Sequence, residues 1–554
     1  MDDIIPKLRK LIKGEVNTDE TARKAVSHDA SVYEVIPEAV ISPVDSADVQ
    51  KLVKFVAKNK VSHPKLAITP RSAGTDMSGA AIGSSLLLDM TTHFNKIESL
   101  KGVLLNVQPG VYMRDIDPLL YDQNLHLGCV PASRAINTIG GMVGNNSGGE
   151  RSLQYGNTER WVRELKVVFG DGNEYVVKPL NRKQLEQKLK EDTYEVGLYR
   201  QVYDLIEKNY DRVKNARPHV NKNSMGYNLW SVWDRETGIF DMTRLITGSQ
   251  GTLGIITDIT MEAVPKAPHS GLLLAYLPSI KNLGEVIATV MHHEPATFEG
   301  FDNITFNLGL RYFKTFRKQL GTKEYLRQQA ILLKSVAKFK GHIPSMFLMI
   351  EFDGQTKGEV LDKISILHDD LKSFKLQMDI EADEAASAPF WKIRRAALSL
   401  LQNQVHGRYA SPFIDDMAVP PRFLPEFVPK LRKVIRKYKL PATIQGHFGD
   451  GNFHVIPLMD IAGKKDQEKL EPVMRELIPI VLKYGGTMAG EHNDGMVRGP
   501  WLPAVFGQDM YEIFKETKEI FDPQYIFNPH KKTDASWEYS MSHIRTSNDS
   551  GLIK

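Results

Sequence analysis

Apolar residues in the first half of the chain fall into short runs and one clear helical period. Four of them recur with a spacing that predicts an amphipathic helix over residues 46–58, with Ser46 or Asp45 as its cap. These apolar residues are Val49, Leu52, Val53 and Val56. Short apolar runs on either side of a loop of small residues predict strands at 66–69 and 86–89. The first half therefore alternates short strands with helices.

The same pattern predicts the organisation of the second half. Apolar runs predict strands at 271–277 and 346–352. Helical periods predict helices at 282–292 and 357–374, and a further helical region rich in Lys and Arg at roughly 311–340. Alternation of strand and helix at this spacing is typical of a small antiparallel sheet covered by helices. We therefore expect an α+β fold in this half of the chain.

Length and composition narrow the class of protein. The 554 residues are too many for one hydrophobic core, so we expect at least two domains. The 71 basic and 67 acidic residues leave a net charge of +4, which gives no argument for a nucleic-acid partner. The single cysteine, Cys129, excludes an internal disulfide or a cysteine-ligated iron–sulfur cluster. Because no apolar run approaches the ~20 residues that span a bilayer, and the acidic N-terminus is not a secretory signal, we expect a cytoplasmic protein. A peripheral contact at the inner face of the membrane is left open.

Three stretches of the first half are rich in glycine and other small residues. They span 70–80, 138–149 with Pro131-Ala132-Ser133 ahead of it, and 246–257. Small residues let backbone N–H groups approach an anion closely, so each stretch is a candidate phosphate nest, although a tight surface loop would look the same. Five glycines and two asparagines within 138–149 are costly to order for a turn alone. Together, and each bounded by short strands, the stretches suit one long cofactor with a pyrophosphate and a ring system.

Two common nucleotide motifs are excluded by the residues around these stretches. The loop at 70–80 lacks the Gly-Lys-Ser/Thr ending of a P-loop. The stretch at 246–257 superficially matches a nicotinamide fingerprint. However, residues 255–264 are rich in β-formers and end at Pro265, where the Rossmann motif requires a helix.

In order and spacing, the three stretches resemble the FAD-binding domain of the vanillyl-alcohol-oxidase-type flavoproteins. The resemblance implies two α+β subdomains with an extended FAD between them, and the first loop at the pyrophosphate. Relatives with covalently attached flavin place a histidine in the first loop, so Gly74-Thr75-Asp76 implies a dissociable FAD. The residues implied to contact FAD are Pro70, Arg71, Ser72, Ala73, Gly74, Thr75, Asp76, Ser78, Gly79, Pro131, Thr138, Gly140, Gly141, Asn145, Ser147, Gly148, Gly251, Gly254, Ile256 and, near the C-terminus, Asn528.

Three histidines and one glutamate of the second half form a candidate chemical centre. His447 and His454 flank the turn sequence 449–452, so a strand–turn–strand arrangement would make them neighbours with a shared ligand. Single histidines are usually structural, but two that flank one turn favour a metal, and Glu491 is a candidate third ligand. This set suits Zn²⁺, Mn²⁺ or Fe²⁺; spacing does not choose among them, and we favour Zn²⁺. His492 would remain free as a base if its segment forms a loop.

The last part of the chain adds a second resemblance. On the pattern alone, residues 390–400 are a helix whose arginines lie on the surface. Together with the two histidine motifs and the segment 521–529, this helix resembles the C-terminal domain of FAD-linked D-lactate and D-2-hydroxyglutarate dehydrogenases and of the glycolate oxidase flavoprotein subunit. The resemblance covers about residues 36–532, and it implies that Arg394 binds a substrate carboxylate and that His492 is the catalytic base. The metal ligands that it implies are His447, His454 and Glu491.

Two departures from this family bear on the substrate and the flavin. The segment 412–414, Pro-Phe-Ile, lacks a lysine that some members use for a distal acid group, which favours a small monocarboxylate. His530 stands where the family usually has glycine, so the flavin contact of Asn528 is expected to differ in geometry.

The resemblance predicts an FAD-dependent D-2-hydroxy-acid dehydrogenase acting on D-lactate, with D-2-hydroxyglutarate or glycolate as alternatives. Two readings from other classes stay open: a non-redox ether-lipid synthase that forms a flavin adduct, and a flavin subunit that only relays electrons. Electrons from a hydroxy acid would pass to an external acceptor, namely a quinone, a cytochrome, an electron-transfer flavoprotein or an iron–sulfur subunit.

The predicted division of the chain follows from the same features. The expected parts are an N-terminal helical segment at 1–35, an FAD-binding domain at 36–268, a substrate domain with the metal site at 269–505, a segment that returns to the flavin at 506–532, and a flexible polar tail at 533–554.

Overall fold

The structure, a computed structural model, describes residues 1, 3–311, 326, 343–401 and 408–545. Within these residues, three main β-sheets and a two-stranded ribbon are surrounded by helices, which confirms the α+β class. The α-helices are Ile4–Leu11, Glu20–Ala25, Ser46–Asn59, Met113–Tyr121, Ile139–Asn145, Ser152–Tyr155, Arg182–Lys188, Tyr194–Lys208, Tyr210–Asn215, Thr243–Ile246, Leu283–His292, Asn303–Arg311, Lys357–Leu371, Glu384–Leu401, Leu424–Lys437, Lys464–Gln467, Leu470–Lys483, Gly495–Arg498, Leu502–Phe506, Gln508–Phe521 and Trp537–Ser542. None of the described helices is long and apolar enough to cross a bilayer.

The first sheet is mostly parallel and carries the first small-residue loop between two of its strands. Its strands are β1 (Glu15–Asn17), β2 (Ala39–Ser42), β3 (Ile68–Arg71) and β4 (Leu86–Asp89). β2 and β3 pair in parallel with β4, and β1 pairs antiparallel with β2. The predicted helix packs its apolar face on this sheet, and Asp45 caps it by accepting a hydrogen bond from the Asp48 N–H. Both predicted strands and the helix are confirmed.

The second sheet is antiparallel and centred on one long strand. Its strands are β5 (Ile97–Lys101), β6 (Leu104–Val107), β7 (Leu125–Leu127), β8 (Val162–Val168), β9 (Glu174–Val177) and β12 (Ile255–Pro265), and the ribbon is β10 (Trp233–Asp234) with β11 (Ile239–Phe240). β12 pairs with β6, β7 and β8. It follows the third glycine stretch directly, which confirms that no Rossmann helix begins there.

The third sheet belongs to the second half and supports the candidate chemical centre. Its strands are β13 (His269–Leu277), β14 (Thr297–Asp302), β15 (Met346–Gly354), β16 (Gln377–Glu381), β17 (Tyr409–Ala410), β18 (Met417–Ala418), β19 (Ala442–His447) and β20 (Asn452–Met459). The order is β16-β13-β15-β14-β19-β20-β17, and β18 pairs with β20. All these pairs are antiparallel, and helices pack their apolar residues on the sheet, as predicted. The predicted helical region at 311–340 lies almost entirely outside the described residues.

The C-terminal residues pack against the rest of the protein. The helix Trp537–Ser542 follows the segment that returns to the first sheet, and Arg545 Nη2 donates to the Asp29 carbonyl at 2.6 Å. The prediction of a flexible tail is therefore wrong for residues 533–545. Composition suggested a tail because these residues are polar, but their polar groups bond to backbone that only folding brings near. Residues 546–554 lie outside the described part of the chain.

Candidate active site

The two histidines of the predicted turn lie on adjacent antiparallel strands. β19 ends at His447, and Gln445, two residues earlier, pairs with His454 of β20. The turn between the strands needs a glycine, because Gly451 has φ of +65° and a Cβ there would lie 1.8 Å from the Val419 carbonyl oxygen. The imidazole centroids are 5.2 Å apart, so the histidines are neighbours as predicted.

A buried aspartate holds the loop that carries Glu491 and His492. Asp416 Oδ2 accepts hydrogen bonds from the backbone N–H groups of Glu491 at 2.9 Å and His492 at 2.7 Å. The next residue, Asn493, has φ of +60°, which a strand does not allow. Both side chains consequently face the same cavity, as the loop prediction required.

Three imidazoles converge on one carboxylate oxygen. The Nε2 atoms of His447 and His454 both lie 3.2 Å from Glu491 Oε1. The Nε2 of His492 lies 3.6 Å from the same oxygen. Imidazole nitrogens and a carboxylate that face one point form a donor set that suits a divalent cation. The predicted ligands and the predicted base are therefore brought together.

A different ligand set is also close enough to consider. Asp416, His454, Glu491 and His492 each place one ligand atom within 4.8 Å of the others. However, Asp416 Oδ2 accepts the two loop N–H groups described above, and its Oδ1 accepts from Asn452 at 2.9 Å. Because these bonds occupy both oxygens, we assign Asp416 to shaping the loop.

Two further carboxylates orient the imidazoles from behind. Glu299 Oε1 lies 2.5 Å from His447 Nδ1. Asp415 lies between the other two rings, with Oδ1 3.1 Å from His454 Nδ1 and Oδ2 2.7 Å from His492 Nδ1. All three Nε2 atoms consequently point at Glu491. Sequence reasoning missed Glu299 and the function of Asp415, because neither stands near the histidines in the chain; the only signal was an Asp-Asp pair after an apolar run.

These charges shift the ionisation of the cluster. Burial lowers the pKa of an imidazole, but Glu299 and Glu491 together outweigh it and raise the pKa of His447 to about 9. Asp415 and Glu491 together likewise raise the pKa of His454 to about 9. Burial raises the pKa of Glu491, but Lys222 and His447 hold it well below its ordinary value. A cation that binds here must displace protons from the imidazoles, so its affinity falls as the pH falls.

A fully buried lysine controls the direction of the central carboxylate. Lys222 Nζ lies 3.2 Å from Glu491 Oε2 and 3.3 Å from Asp450 Oδ2. Because Lys222 engages one oxygen of Glu491, only the other faces the three imidazoles. Sequence reasoning missed Lys222, which lies in the first half outside the three glycine stretches.

Arg394 is buried, so the reading of a surface arginine is wrong. It is 3 % exposed, and Nη2 donates to Glu299 Oε2 at 3.1 Å. Its helix, Glu384–Leu401, lies against the third sheet, and tertiary packing makes the arginine internal. The neighbouring Arg395 is engaged differently, since its Nε and Nη2 both donate to Glu150. Both arginines line the cavity that contains the histidines.

One cavity of about 560 Å³ connects the glycine stretches with the histidine cluster. This volume lies within the ~300–1,000 Å³ typical of ligand pockets. Gly144 lines it, and a Cβ there would meet nothing within 4 Å, so the cavity approaches the backbone. Such small-residue walls fit an extended FAD. The predicted FAD contacts that line the cavity are Pro70, Arg71, Ser72, Ala73, Gly74, Thr75, Asp76, Pro131, Thr138, Gly140, Gly141, Asn145, Ser147, Gly148, Gly251, Gly254 and Ile256.

Three predicted FAD contacts do not line this cavity. They are Ser78, Gly79 and Asn528. Ser78 is fully buried and accepts from Gln250 at 3.1 Å, and the Asn528 amide donates to the carbonyls of Ala80 and Gln250. Ser78 and Asn528 therefore brace the first and third stretches from behind.

The second glycine stretch is helical where the sequence predicted a loop bounded by short strands. Residues Ile139–Asn145 form a short helix, and Thr138 caps it by accepting from the Gly141 N–H. The glycines allow the close approach that this helix needs, since a Cβ on Gly140 would lie 2.5 Å from Pro109. The expectation of a loop was wrong because the glycine count masked a good helix cap; the nearest strands, β7 and β8, lie further away on either side.

Models of known domains match both halves of the chain. One described as "FAD binding domain" matches residues 37–178. Another described as "FAD linked oxidases, C-terminal domain" matches residues 266–532. The two matches cover the glycine stretches at 70–80 and 138–149 and all of the histidine cluster.

Curated relatives and solved structures agree with these matches. D-2-hydroxyglutarate dehydrogenase of Escherichia coli (strain K12) is 25% identical over 94% of this chain, which spans about half of that relative's length. D-lactate dehydrogenase of Anaerostipes hadrus is 25% identical over 96% of this chain and 95% of its own. The structure of 4-ethylphenol oxidase from Gulosibacter chungangensis superposes with a TM-score of 0.67 at 14% identity, covering 97% of this chain and 98% of its own. At 14% identity, this superposition supports the fold alone.

Proposed function

Because the chain belongs to the FAD-linked oxidoreductases that include D-2-hydroxyglutarate and D-lactate dehydrogenases, we propose that it oxidises a small D-2-hydroxy acid, D-lactate first, to the 2-keto acid. The observation that carries the proposal is the single cavity that joins the glycine-lined cradle to three imidazoles, a glutamate and an arginine. In this assignment FAD, held without a covalent bond, would supply the hydride acceptor, and a divalent cation, Zn²⁺ before Mn²⁺ or Fe²⁺, would supply polarisation of the substrate hydroxyl.

The residues of the cluster would divide the remaining work. His447, His454 and Glu491 hold the cation. His492 takes the hydroxyl proton at Nε2, because Asp415 lies 2.7 Å from its Nδ1 and favours the proton there. Asp415 also stabilises the imidazolium that forms.

The charged groups of the cavity favour a substrate with one carboxylate. Arg395 directs Nε and Nη2 to Glu150, and Arg134, which also lines the cavity, donates to Asp117 at 2.6 Å. Arg394 differs, since its buried Nε has no partner among the described residues. Ile456 adds an apolar wall beside the histidines. A buried guanidinium donor without a partner in the described part of the chain and an apolar wall suit a short 2-hydroxy acid.

An anaerobic flavin-reduction screen tests this proposal. The FAD-loaded protein is mixed with D-lactate, L-lactate, D-2-hydroxyglutarate and glycolate, and bleaching of the flavin is followed, with metal analysis of the same sample. We expect D-lactate to bleach the flavin fastest. Faster bleaching by D-2-hydroxyglutarate or glycolate would assign that acid, in place of D-lactate, as the substrate. No bleaching by any of them would refute the proposal. Release of the flavin by denaturation checks the non-covalent assignment.

Two alternative functions are supported by fewer observations. An ether-lipid synthase has no evident use for the imidazole cluster, and a subunit that only relays electrons needs neither Arg394 nor His492. The proposal also includes an external electron acceptor, which is a quinone, a cytochrome, an electron-transfer flavoprotein or an iron–sulfur subunit. It further includes a peripheral membrane contact and the domain boundaries at 36–268 and 269–505.

A further inference from the structure

Gln445 lies beside the histidine cluster on β19, although nothing in the sequence around it indicated a function. It stands on β19, two residues before His447, and pairs directly with His454 of β20. Residues two apart on a strand share a face, and paired residues of antiparallel strands point the same way. Gln445 therefore belongs to the sheet face that carries the two predicted metal-ligating histidines.

The amide of Gln445 has a defined orientation. Its Oε1 accepts from Arg394 Nη1 at 3.3 Å. The reversed amide would place two donors against each other, so the Nε2 group must point away from Arg394. Gln445 is fully buried, and this Nε2 has no hydrogen-bond partner among the described residues.

Arg394, beside Gln445, also has a buried N–H donor without an acceptor among the described residues. Arg394 is 3 % exposed, and its Nε also has no partner in the described part of the chain. Both side chains line the cavity. Two buried N–H donors without acceptors are costly unless something else accepts from them. An anion is the favoured acceptor, because the guanidinium brings positive charge and a planar fork.

We propose that Gln445 is a substrate-binding residue whose Nε2–H donates to the carboxylate of the 2-hydroxy acid, alongside Arg394 Nε. The inference rests on the proposed function and extends it to a residue that neither the motif nor the resemblance identified. A 2-hydroxy acid carries its carboxylate on the carbon that also bears the hydroxyl, so an acid held by Gln445 and Arg394 presents that hydroxyl to the adjacent histidines. Gln445 thereby binds the carboxylate without adding a charge next to the buried Arg394.

Two substitutions test this donor. Gln445→Met removes the amide and keeps the volume, and Gln445→Glu keeps an oxygen for Arg394 but replaces the donor with a negative charge. We expect the KM for D-lactate to rise about tenfold in Gln445→Met and more in Gln445→Glu, with kcat changed less than about threefold. An unchanged KM in both variants would overturn the proposal.

Thr443→Val is the matched control. Thr443 lies two residues before Gln445 on the same strand and is equally buried, but it does not line the cavity. We expect its KM to match the wild-type value. A rise equal to that of Gln445→Met would show that any change on this strand disturbs the site, and would overturn the assignment. Metal content is measured in every variant, and loss of metal in Gln445→Met would likewise overturn it.

Binding of propionate separates this inference from the proposed function. Propionate has the carboxylate but no 2-hydroxyl, so its Kd, followed through the flavin absorption spectrum, needs no turnover. We expect a Kd about tenfold higher in Gln445→Met than in the wild type. If no hydroxy acid reduces the wild-type flavin, the proposed function fails while this comparison still stands. If the wild type oxidises D-lactate but propionate binds both proteins equally, the function stands and the Gln445 assignment fails.

Discussion

The two walls of the cavity are built in different ways. The wall from the first half is made of backbone and small residues, and its shape depends on missing side chains: a Cβ on Gly251 would lie 2.3 Å from Pro70 Cγ. The wall from the second half is made of charged side chains that hold one another, as when Glu299 contacts both His447 and Arg394. The first wall should therefore be sensitive to size, and the second to charge.

The largest effect should come from the base of the charged wall. His492→Ala is expected to slow flavin reduction by D-lactate about 10²- to 10⁴-fold, because the hydroxyl proton loses its acceptor. FAD and metal should be retained, since Asp416 holds the loop through backbone N–H groups. Stopped-flow absorbance measures the rate. His368→Ala is the control and should be unchanged, because His368 is a half-buried residue of the helix Lys357–Leu371 that does not line the cavity. A wild-type rate of flavin reduction in a metal-loaded His492→Ala protein would contradict the assignment of His492 as the base.

Removing a supporting charge should have a smaller effect than removing the base. Glu299→Gln keeps the shape of the side chain, but it no longer stabilises the His447 ring or Arg394 with a negative charge. We expect the affinity for the divalent cation to fall about 10- to 100-fold, measured by competition with a chromophoric chelator. Glu351→Gln is the control, because Glu351 is buried on the neighbouring β15 but pairs with Arg151. Equal loss of metal from both variants would mean that the negative charge of Glu299 does not determine the affinity for the cation.

The small-residue wall should respond to a single methyl group. Gly251→Ala adds a Cβ at a residue with φ of +66°, and that Cβ overlaps Pro70. The left-handed conformation and the overlap together should lower the free energy of unfolding by about 2–4 kcal/mol, measured by urea titration. Gly197→Ala is the contrast: it lies in the helix Tyr194–Lys208 with nothing within 4 Å. That variant should be about 0.5–1 kcal/mol more stable than the wild type. Similar stabilities for the two variants would contradict the idea that shape governs this wall.

The smallest expected effect is on the pH dependence of the free energy of unfolding, and it comes from His126 in the first half of the chain. Burial, with help from Arg151, lowers the pKa of His126 to about 4, against about 6.5 in the unfolded chain. Between pH 6.5 and pH 4 the unfolded chain binds more protons at this position, so stability falls as the pH falls. We expect His126→Gln to reduce the loss of unfolding free energy between pH 7 and pH 4.5 by about 1–2 kcal/mol. Parallel pH profiles for the two proteins would show that His126 does not contribute.

The sequence predicted most of the elements around the site. The helix after Asp45, the strand that follows Gly254 and the turn between His447 and His454 all depend on local rules: helical period, β-former runs and glycine turns. Local rules failed where neighbours distant in sequence decide the outcome. The packed residues 533–545 are such a case, whereas the helix Ile139–Asn145 was missed because the glycine count masked its local Thr138 cap.

By itself, the sequence determined the types of chemical group available: a small-residue cradle, three histidines, a glutamate and an arginine. Only the tertiary structure decided which oxygen of Glu491 faces the imidazoles, because Lys222, from the first half, takes the other one. It also decided that Arg394 is internal, and that Gln445 has a donor left for a ligand. The physical reason is that buried charges and amides are oriented by partners 51 to 269 residues away in the chain, and no local pattern records which partner each will meet.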